Sequence, residues 1–214
     1  MKVGANGYVL VTLHDYQQSI PLENICVYNT HADTWTSFRS DAVFSDASSI
    51  TFARENPLMA GVDQNGVVRI LDLETGNTVG RFPTQLPSGS VLQMQFFLDD
   101  AYLAIKAAGG HLLIYEVATG TQVYRDQLSN AYGSTLQVFE DLTNNRLYLN
   151  CGSDSGLCLD LHSWTTLAKL DNLIYYDSNT DQVYLTTPDR TMAYGKIPAT
   201  NDLVKLATDI LAEQ

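Results

Sequence analysis

An all-β array of about four to five four-stranded antiparallel blades, followed by one short C-terminal helix, is the fold this sequence predicts. Three observations carry that expectation. First, a segment recurs: VVRILDLETG at 67–76 returns as HLLIYEVATG at 111–120 and GLCLDLHSWT at 156–165, with a fainter ICVYNTHADT at 25–34. The penultimate apolar position of each run marks the repeat at Tyr28, Leu71, Tyr115 and Leu159, spaced 43, 44 and 44 apart, and a degenerate copy puts Tyr194 35 further on. Second, apolar residues inside each copy recur at every second position, the period of strands. Third, short clusters of Gly, Asn and Asp separate the runs at hairpin spacing. A period in the forties with four short strands per copy is the mark of a propeller-like repeat.

The copies fall near 8–40, 46–83, 90–128, 134–170 and 171–198, so one repeat domain over 1–200 accounts for nearly all 214 residues. In the second copy, SSITFA precedes the turn Glu55-Asn56-Pro57, LMAGV leads to Gln64-Asn65-Gly66, and VVRILDL leads through Thr75-Gly76 to TVGRF. The third copy repeats the plan around Asp99-Asp100, Gly109-Gly110 and Thr119-Gly120, and the fourth around Asn144-Asn145, Ser153 to Gly156 and Ser163-Trp164. Phe52, Phe96 and Tyr175 each stand nineteen residues before their marker, and Phe139 twenty before Leu159. Large aromatics in register on the first strand of each copy are expected in the core between blades.

The ends do not match a closed ring. The first copy starts inside its second strand at GYVLVTLHD, and the last offers three strands before the chain turns polar. Exposed strand edges invite pairing, so three outcomes stand: a five-blade ring closed by pairing GYVLVTL with TMAYGKI, an open arc, or an arc completed by a second copy. Pairing within one ring is slightly favoured. The tail DLVKLATDILAEQ places Leu203, Leu206, Ala207, Ile210 and Leu211 on one helical face, with Thr200 and Asn201 as N-caps after Pro198. A helix over 201–214 is therefore expected, packed over the edge of the last blade.

Composition narrows the functional classes. Twelve basic residues against 24 acidic give a net charge of −12, the wrong sign for phosphate backbones or an anionic membrane surface. No run of 18 apolar residues exists, and the N-terminus lacks the long apolar stretch of a signal peptide. Cys26, Cys151 and Cys158 have the wrong parity for a disulfide framework and read as small buried hydrophobes, although Cys151 and Cys158 flank GSDSG and could face each other across a hairpin. The four histidines form no constellation. His31 and His162 share one turn position in different copies, and His14 and His111 have no nearby Ser or Cys. The Asp99-Asp100 pair and the Asp177 to Asp181 stretch read as ordinary turns. The expectation is no catalytic set, no metal and no cofactor.

The segment DQNGVVRILDLETG resembles the WD repeat, in which a polar-Gly turn opens the third strand and Trp-Asp closes it. Here the Trp position holds Leu71, Tyr115 and Leu159, and the Asp position holds Asp72, Glu116 and Asp160. That family joins this Asp to a His and a Ser or Thr within the blade. No Gly-His pair precedes these copies, so the network is expected to be absent. The resemblance covers roughly 8–198. The Thr-Gly turns also resemble quinoprotein dehydrogenase repeats, but Gly80-Arg81-Phe82 and Tyr124-Arg125 stand where those repeats carry a docking Trp. The resemblance implies a non-catalytic interaction or scaffolding module, the C-terminal part of a larger cytoplasmic bacterial signalling protein, with a protein or peptide partner and neither nucleic acid nor membrane. The alternative is a quinoprotein-like or hydrolase enzyme with its site at the central mouth. The loop 14–24, longer than its counterparts, makes Tyr16, Ile20 and Leu22 the expected partner contacts.

Overall fold

The computed structural model describes residues 2–11, 22–44, 50–63, 65–87, 89–128, 133–152, 155–187 and 189–198. Tyr16, Ile20 and the expected helix over 201–214 lie outside these residues. The first sheet comprises β1 (Lys2–Val3), β2 (Tyr8–Val11), β3 (Leu22–Asn29) and β4 (Thr34–Phe44), hydrogen-bonded in that order. The second comprises β5 (Thr51–Phe52), β6 (Leu58–Val62), β7 (Val67–Asp72) and β8 (Thr78–Pro83), and the third β9 (Val91–Phe97), β10 (Tyr102–Ala107), β11 (His111–Glu116) and β12 (Gln122–Gln127). The fourth runs through β13 (Gln137–Asp141), β14 (Arg146–Asn150), β15 (Gly156–Asp160) and β16 (Thr166–Lys169). A fifth, three-stranded sheet holds β17 (Leu173–Asp177), β18 (Gln182–Thr186) and β19 (Met192–Gly195). Sequential antiparallel sheets of this kind are propeller blades.

One expectation about the ends needs correction. The first sheet has a leading strand, with Lys2 opposite Leu10 and Val3 opposite Val9. Two residues are too few to show a period of two, so β1 left no pattern in the sequence.

The chain forms two compact units, Met1–Val138 and Phe139–Gln214. In the first, Tyr8, Leu10 and Val27 pack with Ile50, Phe52, Met59, Leu71 and Leu73. The other face of the second sheet, through Ala60, Val62, Val68, Ile70 and Phe82, meets Met94, Phe96, Leu103, Ile105, Leu113 and Tyr115 of the third. The second sheet is thus covered on both sides, which is why β6 is buried at four consecutive positions. In the second unit Tyr148 and Cys158 pack with Leu173, Tyr176 and Val183. Arg146, buried at the start of β14, donates Nη1 to the Ile197 carbonyl at 2.7 Å and Nη2 to that of Pro198 at 2.6 Å, fastening the segment after β19.

The position that the WD resemblance marks as Asp has a local task. Asp72 accepts hydrogen bonds from the backbone N–H of Glu74 and Thr75, and Asp160 from those of His162 and Ser163. Asn29 does the same for His31 and Ala32 in the first sheet, and Glu116 holds the Thr119 hydroxyl. Four residues beyond each, the backbone is left-handed: Asp33 (φ 53°), Gly76 (74°), Gly120 (69°) and Trp164 (55°). The carboxylate or amide satisfies donors at the bend, and the left-handed residue closes it.

A different aspartate ties blade to blade. The turn before β10 places Leu98, Asp99 and Asp100 in succession at positive φ, a costly arrangement for three residues with side chains. Asp100 is buried and accepts from the backbone N–H groups of Arg54 (2.7 Å), Glu55 (2.8 Å) and Asn56 (2.9 Å), and from the Asn56 amide (3.1 Å). Burial alone would raise its pKa, but these hydrogen bonds outweigh that and hold it below the usual aspartate range.

Asp100→Asn should lower unfolding free energy by about 2–3 kcal/mol at neutral pH, read by denaturant titration, because a charge-assisted acceptor for three backbone donors is lost. The depressed folded-state pKa gives a contribution fully present above the unfolded value near 3.9 and lost as pH falls through the folded value. The gap between the two proteins should therefore narrow on acidification below about pH 4. Gly120→Ala should cost about 1–2 kcal/mol for its left-handed backbone, with the new Cβ only 3.2 Å from the Phe82 ring.

Candidate interaction surface

A β-sheet has two faces, and alternate residues of each strand supply them. On the first sheet, one face packs into the core through Tyr8, Leu10 and Val27. The ladder places Val3 opposite Val9, Val9 opposite Tyr28, and Tyr28 opposite Trp35 on the other face, a row crossing all four strands. Val3 and Trp35 are each 64% exposed. The Tyr28 and Trp35 rings lie 5.0 Å apart, tilted by 37°. Beside this row a second one runs through Val11, Cys26 and Ser37, also uncharged. Asp33 is the acid at the margin; it accepts from the Tyr28 hydroxyl at 2.5 Å, a bond that raises the Tyr28 pKa.

The fifth sheet repeats the situation with different residues. Leu173, Tyr176 and Val183 face the core. Tyr175 stands opposite Tyr184, and Tyr184 opposite Tyr194, so three tyrosines cross the sheet with ring centroids 6.2 and 5.8 Å apart. Phe139 of the fourth sheet meets Tyr175 edge-on at 5.4 Å and packs against the core of the same unit. Met192, opposite Thr186, belongs to the same face. Tyr194 is 67% exposed, Met192 63% and Tyr175 48%.

Tyr175 corrects an expectation: its offset from Tyr194 placed it with the core aromatics Phe52 and Phe96. Tyr175 does share its marker's row, through Tyr184 to Tyr194, as Phe52 shares that of Leu71 through Met59, but in the fifth sheet the core face is the one carrying Tyr176 and Val183, so the whole row turns outward. Of the expected partner contacts, Leu22 opens β3 with its backbone opposite Phe44, and Tyr16 and Ile20 lie outside the described residues. The two aromatic rows were missed. Their signal was present: YVLV, QVYLT and MAYG carry apolar or aromatic residues at both parities, where a half-solvated strand would alternate with polar ones.

Acidic and nucleophilic groups serve structure. Asp63 accepts from the backbone of Asn65 and Val67 and pairs with Arg69 at 3.0 Å. Burial pushes its pKa up, but these partners prevail and leave it lowered. In the second unit, burial pushes Tyr148 up to about 12 and the Cys158 thiol up to about 11. Burial, then the carboxylates of Asp141 and Asp181, raises Tyr176 as well. The Tyr148 and Tyr176 rings stack at 4.4 Å, making this cluster the neutral joint between two sheets. Cys158 stands opposite Tyr148, while Cys151 bonds Ser155 beyond the end of the ladder, so the two cysteines do not face each other. All three cysteines are free. Among the described residues, no three His, Cys, Asp or Glu side chains gather where they could hold a metal ion.

No protein-family model matches the chain, and no curated protein does. Among solved structures, it is similar to BamB from Moraxella catarrhalis, a β-propeller, with a TM-score of 0.53 and 15% identity. The match covers 81% of this chain and 52% of that one, so the chain spans about half the length of that neighbour. At this identity the likeness shows the β-propeller fold.

A thiol reagent should label neither Cys151 nor Cys158 in the native chain, because both are fully buried and the Cys158 thiolate is disfavoured. All three thiols should react after denaturation, and mass spectrometry of the labelled peptides reads the difference. Native labelling of Cys158 would contradict the packing described.

Proposed function

We propose that this chain is a non-catalytic protein-interaction or scaffolding module. The observation behind this reading is the pair of aromatic-rich sheet faces, exposed on a chain whose net charge is −12. Exposed tryptophan and tyrosine rows cost solvation unless something covers them, and aromatics with a polar tip are the residues enriched where protein surfaces meet. The partner suited to such a face is a protein or peptide. An anionic nucleic acid or membrane surface would meet repulsion from the same net charge. The WD-like repeat supports placing the module in a larger, cytoplasmic bacterial signalling or regulatory protein.

A photoreactive amino acid installed at Tyr194, at Trp35 or at the exposed control position Thr119 tests this reading in extracts of the native organism. Discrete adducts at positions 194 and 35, and none at 119, are the expected result. Equal labelling at all three, or turnover of a quinone-linked or ester substrate by the purified chain, would contradict it.

A further inference from the structure

We propose that the outer face of the first sheet binds an arginine side chain of a partner protein, held on the Trp35 ring beside the Asp33 carboxylate. The proposal rests on the interaction reading above and names the chemistry of the partner this face takes. Three residues of the β3–β4 hairpin build the site. Tyr28 and Trp35 stand opposite each other in the ladder, with ring centroids 5.0 Å apart and planes tilted by 37°. The Tyr28 hydroxyl donates to Asp33 Oδ1 at 2.5 Å, and Asp33 stands two residues before Trp35. A left-handed backbone at Asp33 (φ 53°) closes the turn between them.

Each part of this arrangement suits a planar cation. An aromatic ring presents a negative face, and tryptophan attracts a cation within about 6 Å of its centroid more strongly than tyrosine or phenylalanine does. Trp35 is 64% exposed, so that face is open to an incoming side chain. A phenol that donates to a carboxylate gains electron density in its ring, which strengthens the pull of Tyr28 on the same cation. Tyr28 takes Asp33 Oδ1 and leaves Oδ2 without a donor among the described residues. A guanidinium stacks on a ring and still directs N–H groups at a carboxylate lying in its own plane, which an ammonium does not do.

Charge around the site calls for a cation from outside. Residues 3–38 contain no Lys or Arg, but they contain three carboxylates, Asp15, Glu23 and Asp33. Lys2, which precedes them, stands in the ladder opposite core-facing Leu10 and not in the row of Val3, Val9, Tyr28 and Trp35. Tyr8, opposite Asn29 at the turn end of the hairpin, lies in the field of Glu74 and Asp72, which add negative potential there. A chain of net charge −12 draws basic segments in, and the ring and carboxylate fix where one side chain docks.

The test is fluorescence anisotropy of a Gly-Arg-Gly-Arg-Gly peptide carrying a neutral dye, titrated with the 214-residue chain at about 0.15 M salt, where the long-range field is screened. Saturable binding is expected, at least about tenfold tighter than for the same peptide with citrulline, the uncharged isostere, in place of arginine. Trp35→Leu, which keeps apolar bulk and removes the ring, and Asp33→Asn should each weaken binding at least about fivefold. Trp35→Phe keeps a ring and should recover part of the loss, and it stands in should the leucine variant unfold. Asn tolerates the left-handed backbone at position 33, so that variant keeps the turn. No binding overturns the proposal. Equal binding of the citrulline peptide also overturns it, since the face would then take an uncharged surface, as does binding indifferent to Trp35→Leu, which would leave net charge as the sole attraction. Position-specific adducts at Trp35 from a partner, with no response to the arginine peptide, would remove the cationic partner and leave the interaction reading intact.

Discussion

Every sheet in this protein has two faces to cover, and that requirement organises the rest of the structure. Burial of apolar surface stabilises by about 25 cal/mol per Å², so a sheet apolar on both sides must lie between two neighbours. The second sheet meets this condition, with Met59 and Leu71 on one side and Ala60, Val62, Val68 and Ile70 on the other. The first and last sheets meet it on one side. On its other side the first sheet carries Tyr28 and Trp35, and the fifth carries Tyr184 and Tyr194.

Spacing within the stack is set by short turns with their own chemistry. A side-chain acceptor at Asn29, Asp72, Glu116 or Asp160 and a left-handed residue four positions later give each third-to-fourth-strand hairpin the same closure. The residue at the position that the WD repeat fills with Asp caps its own turn. The long-range polar link is instead Asp100, which holds three backbone donors of the preceding blade and stabilises a run of left-handed residues that would otherwise be strained.

The all-β fold was legible because its period is written in strands and turns that the backbone obeys, and five antiparallel sheets result among the described residues. What escaped has identifiable causes. β1 is too short to show periodicity, so the first blade appeared to lack a strand. Tyr175 carried the right offset from Tyr194, yet Tyr194 itself stands on the outer face, beside the core-facing Val183–Gly195 pair, and an offset count cannot tell which face its marker takes. The aromatic rows were hidden for a related reason. A strand that is apolar at both parities reads as interior, and only the packing within each unit reveals which of its faces is exposed.

The central claim is that the outer faces of the first and last sheets are covered when the protein is at work. Hydroxyl-radical footprinting of the chain, read residue by residue by mass spectrometry in pure form and in native extract, tests it most directly. The account predicts that Trp35, Met192 and Tyr194 are oxidised readily in the pure chain and become protected in the extract, while buried Tyr148 stays protected throughout. Oxidation of Trp35 and Tyr194 that is equally fast in both would contradict it.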